Sequence, residues 1–317
     1  MLVALVAFLV TLATPGTVAF RIADPELIPE GIAYDAPTKT FFVGSTYKRK
    51  IVAVDAAGNA RDFTKEGQDG AFGFVGLRVD TKRRALWAIS SHAGANMPGR
   101  GLDDACNGCS TVMRYDVSSG KLLKKYALPN TGARHFLNDI ALAPSGDVYI
   151  TDSLTGDVYR IMRATDTLER WVNLGTQIFP NGIDVTPGGS VLFVATEAGL
   201  RKIDVKTGTI SEISRNVGSI DGLYFHRNSL IAIQPFDEFR KVARFRLTPA
   251  LDGVAGIDTL EGSNPVFRQP TTGVIVGEDF YYIANAQLQV FRALRAAGAV
   301  RRAELADVVV LKRSLSQ

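Results

Sequence analysis

Asn181-Gly182-Ile183-Asp184-Val185-Thr186, closed by the turn Pro187-Gly188-Gly189 and answered by Val191-Leu192-Phe193-Val194, decides the fold. A short alternating run, a Pro-Gly turn and a β-branched, aromatic run read as an antiparallel hairpin. The phrase recurs at Glu30-Gly31-Ile32-Ala33-Tyr34-Asp35, Val75-Gly76-Leu77-Arg78-Val79-Asp80, Asn138-Asp139-Ile140-Ala141-Leu142-Ala143, Asp221-Gly222-Leu223-Tyr224-Phe225-His226 and Thr272-Gly273-Val274-Ile275-Val276-Gly277. The six copies start 45, 63, 43, 40 and 51 residues apart. Third strands follow, as at Lys50-Ile51-Val52-Ala53-Val54-Asp55 and Asp157-Val158-Tyr159-Arg160-Ile161. Units of about 40–50 residues with four strands each are propeller blades. The expectation is an all-β, single closed domain over residues 20–317: a six-bladed β-propeller with openings near 30, 75, 138, 181, 221 and 272. A short helix near Leu288 to Val300 interrupts the last blade.

Composition agrees with a globular chain and excludes several classes. Of 317 residues, 46% are hydrophobic and 21% charged, with two cysteines, which rules out disorder and a disulfide scaffold. The net charge of +4 is spread along the chain, so nucleic acid is not expected as a partner. Residues 1–19 carry no charged side chain; an apolar run precedes Pro15-Gly16 and the small-residue ending Thr17-Val18-Ala19. That shape predicts a signal peptide over 1–19 and an exported protein, periplasmic or secreted. The run is short of the ~20 residues a stable membrane span needs.

In a propeller the innermost strand of every blade starts beside the central channel, so six distant residues become neighbours: Glu30, Val75, Asn138, Asn181, Asp221 and Thr272. Two carboxylates and two carboxamides supply the hard oxygens that calcium accepts, while the absence of His and Cys from the ring argues against zinc or copper. A calcium ion, or another divalent cation, is the expected cofactor. The alternative is that these are turn residues that open strands for backbone reasons. Ends of second strands should line the mouth, among them His92, Asp152, Glu197 and Asn285. They are mostly polar and suit a small polar or ester substrate.

The phrases Pro29-Glu30-Gly31-Ile32-Ala33-Tyr34-Asp35, Leu137-Asn138-Asp139-Ile140-Ala141, Pro180-Asn181-Gly182-Ile183 and Ile220-Asp221-Gly222-Leu223 resemble the gluconolactonase/regucalcin-like family, akin to the diisopropylfluorophosphatase and paraoxonase propellers. The resemblance spans about residues 25–290. It implies a metal-dependent hydrolase of lactones or related esters, with Glu30, Asn138, Asn181 and Asp221 as metal ligands and Asp221 as general base or nucleophile. The chain departs from the pattern twice: Phe136 stands where sugar lactonases often carry Arg, and Val75 where paraoxonases carry a catalytic His.

His92 is a candidate acid/base beside Asp221, and His135 joins the expected substrate pocket. The stretch 92–110 is the longest insertion and reads as a lid-like loop. Within it, Cys106-Asn107-Gly108-Cys109 is open to a disulfide, free thiols, a redox pair or a zinc site with His92. The rival functions are a non-catalytic propeller that binds a ligand or protein around a structural cation, and a strictosidine-synthase-like enzyme.

Overall fold

The recurring phrases become the innermost strands of six four-stranded antiparallel sheets. The computed structural model describes residues 15–128, 132–236, 240–262, 264–298 and 302–316. Strand β1 (Thr17–Ile22) precedes the first blade, which holds β2 (Pro29–Asp35), β3 (Thr40–Ser45), β4 (Ile51–Val54) and β5 (Ala60–Asp62). Blade two is β6 (Gly73–Asp80), β7 (Ala85–Ser91), β8 (Ser110–Asp116) and β9 (Leu122–Ala127). Blade three is β10 (Leu137–Leu142), β11 (Val148–Asp152), β12 (Asp157–Ile161) and β13 (Leu168–Asn173). Blade four is β14 (Ile183–Val185), β15 (Val191–Thr196), β16 (Gly199–Asp204) and β17 (Ile210–Arg215). Blade five is β18 (Leu223–His226), β19 (Ser229–Gln234), β20 (Lys241–Leu247) and β21 (Val254–Gly262). Blade six holds β22 (Gly273–Val276) and β23 (Asp279–Ile283), then helix α1 (Leu288–Ala296) and β24 (Val308–Ser314).

The outer strand of blade six is supplied by the other end of the chain, because β1 pairs antiparallel with β24 and closes the ring. That strand begins at Thr17, three residues ahead of the boundary read from the sequence. The apolar run over 2–14 lies outside the described residues.

Burial explains the composition of each strand. Second strands read as continuous apolar runs because both faces are covered and alternate residues serve different interfaces. In β15, Leu192 and Val194 face blade three while Phe193 and Ala195 face blade five. In β3, Phe41 and Val43 face blade six and Phe42 faces blade two. Outer strands have one wet face, and β21 alternates half-buried with exposed positions along Val254–Thr259. Among the described residues one apolar cluster fills each of the six interfaces between blades. At about 25 cal/mol per Å2 of apolar surface, these interfaces rather than single contacts hold the ring closed.

Candidate metal centre

Inner strands start, and second strands end, on one face of the ring, which gathers the six openings there. In blades one to three the ladder slips at Glu30–Gly31, Val75–Gly76 and Asn138–Asp139, a bulge that turns the side chain out of the pleat. The glycine that follows most openings lets the next blade come close. A Cβ on Gly31 would lie 1.9 Å from the Val75 carbonyl oxygen, and one on Gly182 2.4 Å from that of Asp221. The Gly of the repeat is therefore what packs successive openings against each other.

Glu30 and Asp221 are each 7% exposed. The Asn181 side-chain amide donates to Asp221 Oδ1 at 3.1 Å. Asn138 donates to Ser153 Oγ at 3.0 Å, and that hydroxyl donates to the Pro180 carbonyl at 2.6 Å, next to Asn181. The other two openings are occupied differently. Val75 is buried in an apolar cluster, and the Thr272 hydroxyl donates to the Glu30 carbonyl. Burial, then the charges of Asp221 and Asp139, push the Glu30 carboxyl well above the usual range. Burial pushes Asp221 up to about 7, with the Asn181 hydrogen bond opposing and Asp139 adding to the shift. Two carboxylates thus share the axial end of the channel, and Arg292 on α1 is the cation that lowers Glu30.

A second tier lies three residues further along the inner strands, where the repeat places Arg78, Asp184 and Tyr224. Arg78 Nη2 lies 3.6 Å from Asp139 Oδ2, and its guanidinium stacks 5.2 Å from the Tyr224 ring centroid. Asp139 accepts from the Ile183 N–H at 3.2 Å, Asp184 from the Phe225 N–H at 2.7 Å, and Tyr224 Oη from the Gly273 N–H at 2.6 Å. Each of these side chains thereby stitches its blade to the next. Burial raises Asp139 and lifts Asp184 to about 6, and Arg78 opposes both shifts. Sequence reasoning missed this tier. Its signal was present as polar residues at the fourth position of a repeat that elsewhere carries Ala33, Ala141 and Ile275, and as Asp139 where other copies have Gly.

The expected pocket residues are dispersed. His92 is 3% exposed, with Nε2 3.2 Å from the Asp103 carbonyl and no partner for Nδ1 among the described residues, so it sits within the insertion itself. His135 Nδ1 is 2.6 Å from Asp152 Oδ2, and Oδ1 of the same carboxylate accepts from the Phe136 and Leu154 N–H groups at 3.0 and 3.1 Å. Asp152 is therefore spent on holding His135 and the strand end. Asn285 donates to the Asp307 carbonyl at 2.8 Å and accepts from Val309 N–H at 2.7 Å, which spans the base of the α1 excursion. Glu197 is exposed on its strand end.

The insertion and α1 meet on the site face. Met97, Leu288 and Phe291 belong to the same apolar cluster as Ile28, Val75 and Leu137. Tyr47 joins the two segments: its ring lies 4.5 Å from Phe291, and its carbonyl accepts from Arg100 N–H at 2.8 Å. Glu30 and Asp221 thus open to solvent only slightly.

Solved structures share this architecture. Regucalcin from Agrobacterium tumefaciens strain C58, a calcium-binding protein, is 17% identical over 95% of each chain with a TM-score of 0.63. A gluconolactonase from Xanthomonas campestris is 16% identical over 95% of this chain and 98% of its own, with a TM-score of 0.59. The fold is theirs. A virginiamycin B lyase from Staphylococcus aureus is also similar, at 15% identity over 83% of this chain and 79% of its own and a TM-score of 0.59. At the level of sequence, neither a family model nor a curated protein matches the chain.

The donor set suits a hard divalent cation. Among the described residues no group of three or more His, Cys, Asp or Glu side chains is spaced to share an ion, so a cation here would rest on mixed carboxylate and carboxamide oxygens. Calcium accepts such mixtures, with water completing 6–8 ligands. Two carboxyls that burial raises, one of them further by the charge of the other, would be stabilised as anions by a cation between them.

Proposed function

We propose that this chain is a calcium-dependent, or otherwise divalent-metal-dependent, hydrolase of lactones or related esters. The observation that carries the reading is the Glu30–Asp221 pair: two buried carboxyls at blade openings, with the Asn181 amide on Asp221 and Asn138 linked through Ser153 to the Pro180 carbonyl beside Asn181. Glu30, Asn138, Asn181 and Asp221 would hold the ion, which when bound supplies Lewis-acid polarisation of a substrate carbonyl. Asn181 has its N–H2 on Asp221, which leaves its carbonyl oxygen as the ligand atom. The same hydrogen bond holds the Asp221 carboxylate through Oδ1, and its second oxygen would serve as base or nucleophile. Burial keeps bulk water away and strengthens every charge interaction in the site. The similarity to a gluconolactonase and to a calcium-binding regucalcin supports this reading, and the presence of lyases among similar folds keeps the reaction class open to test.

A second reading has its own observation. Glu30 and Asp221 are 7% exposed beneath the insertion and α1, which suits a structural cation in a non-catalytic binding propeller. Among the described residues no helix is long and apolar enough to cross a membrane. A proton-release assay over aliphatic lactones, sugar lactones, aryl esters and a fluorophosphate separates the two readings. The hydrolase loses turnover on chelation and regains it with calcium. Silence across that panel by a protein that binds calcium favours the binding propeller.

A further inference from the structure

The insertion carries a pair of thiols that the proposed hydrolysis does not use. Cys109 N–H donates to the Cys106 carbonyl at 2.8 Å, which closes a four-residue turn. Gly108 has φ +93°, the left-handed value that the third residue of a type II turn requires. Such a turn brings its end Cα atoms within about 7 Å, the separation a disulfide spans. Both thiols are free, and burial first, then the neighbouring Cys106 thiol, push Cys109 up to about 11. Both cysteines are half-buried and reachable from solvent.

The turn is tied to its surroundings at several points. His92 N–H donates to the Cys109 carbonyl at 2.9 Å and Gly108 N–H to the His92 carbonyl at 2.8 Å, so the turn extends the ladder of β7 with β8. His135 N–H donates to the Gly108 carbonyl at 2.9 Å, and Arg134 donates to Asn107 Oδ1 at 2.6 Å. Cys106–Cys109 therefore joins the base of the insertion to the segment that carries the His135–Asp152 pair.

We infer that Cys106 and Cys109 form a reversible dithiol–disulfide modification site whose oxidation stiffens the base of the insertion on the site face. The oxidant is a small-molecule disulfide or a disulfide oxidoreductase. One thiol loses its proton and attacks a sulfur of the oxidant, forming a mixed disulfide and releasing one thiol. The second cysteine loses its proton and displaces the other half. The protein gives up two electrons and two protons, and the oxidant leaves as two thiols. Closing a four-residue loop removes opened states of the turn, so the amides of His92 and His135 should exchange on the order of tenfold more slowly.

The test uses the full chain with oxidised glutathione, read by intact mass, peptide mapping and hydrogen exchange. The expected result is loss of two hydrogens' mass, mapped to Cys106–Cys109, reversed by dithiothreitol and absent from Cys106→Ser and Cys109→Ser, with slower exchange at His92 and His135. A persistent glutathione adduct, a disulfide-linked dimer or two alkylatable thiols at equilibrium would overturn the site. A disulfide with unchanged exchange at His92 and His135 would overturn the stiffening. The serine variants in reduced buffer should match the exchange of the reduced parent, which separates loss of the switch from loss of the fold. None of these readouts depends on hydrolase activity.

Discussion

Replacing Arg78 with Met should destabilise the ring in a pH-dependent way. Arg78 is the cation that opposes the burial-driven shifts of Asp139 and Asp184, and Met keeps much of its stem volume without the charge. Removing one partner of a buried pair costs about 3–5 kcal/mol, because the remaining charge stays buried. The 3.6 Å separation between Arg78 and Asp139 is beyond hydrogen-bond length, which places the cost near the lower end, about 3 kcal/mol. For a domain of this size that lowers Tm by about 6–12 °C. The sign with pH follows from linkage. Asp184 has a folded pKa of about 6, above its unfolded value, so the native state binds more protons and loses stability as pH rises between the two. Without Arg78 that loss grows and extends to higher pH. The gap in Tm between parent and variant should be largest near pH 8 and shrink toward pH 4, where Asp184 is protonated in the native state of both proteins. Thermal unfolding of chelator-treated protein across that range measures it. A variant as stable as the parent at pH 8, or a gap independent of pH, would refute the assignment of Arg78 as internal counter-ion.

Three further outcomes are expected. Arg84 binds the fully buried Asp35 across blades one and two with contacts of 2.5 and 3.0 Å, so Arg84→Ala should cost about 3 kcal/mol in denaturant titration. Burial raises the Asp35 carboxyl, but hydrogen bonds from Arg84 and Thr38 outweigh it and leave a depressed pKa; the stability it adds is present above about pH 4 and is lost as pH falls further. Deleting residues 1–22 removes β1, uncovers the edge of β24 and exposes the partners of Phe20 and Ile22, so scattering should reveal aggregation that a deletion of residues 1–14 does not cause. In chelator, Glu30→Gln should raise Tm relative to the parent by removing a carboxylate that burial, then like-charge repulsion with Asp221, disfavours beyond what Arg292 offsets, and a fall in Tm would contradict that reading.

The repeat was legible because its chemistry is local. The opening phrases combine a turn, a strand of period two and, in five of the six, a glycine, and Gly31 and Gly182 show why a side chain at those places is excluded. The opening residues were legible as a set once the repeat was aligned, since closure of the ring brings them together regardless of their spacing. Other features depend on partners far away in the chain. The pairing of β1 with β24 joins residues almost 300 apart, and an apolar stretch beside a leader-like segment carries no local mark of a closing strand. Asp152 and Asn285 have the composition of pocket residues, yet backbone N–H and C=O groups claim them where strands end. A residue's type shows what it can bond; only the fold shows which backbone groups lack a partner. The second tier was hidden for the opposite reason, because Arg78, Asp184 and Tyr224 stand on strands that otherwise read as core.

Calcium titration of chelator-stripped protein by calorimetry tests the central claim most directly, in the parent and in Asp221→Asn and Glu30→Gln. One ion per chain is expected in the parent, with binding weakened at least tenfold in each variant while far-ultraviolet circular dichroism is unchanged. No binding by the folded parent, or binding that survives both substitutions, would contradict the assignment of this end of the channel as a metal centre.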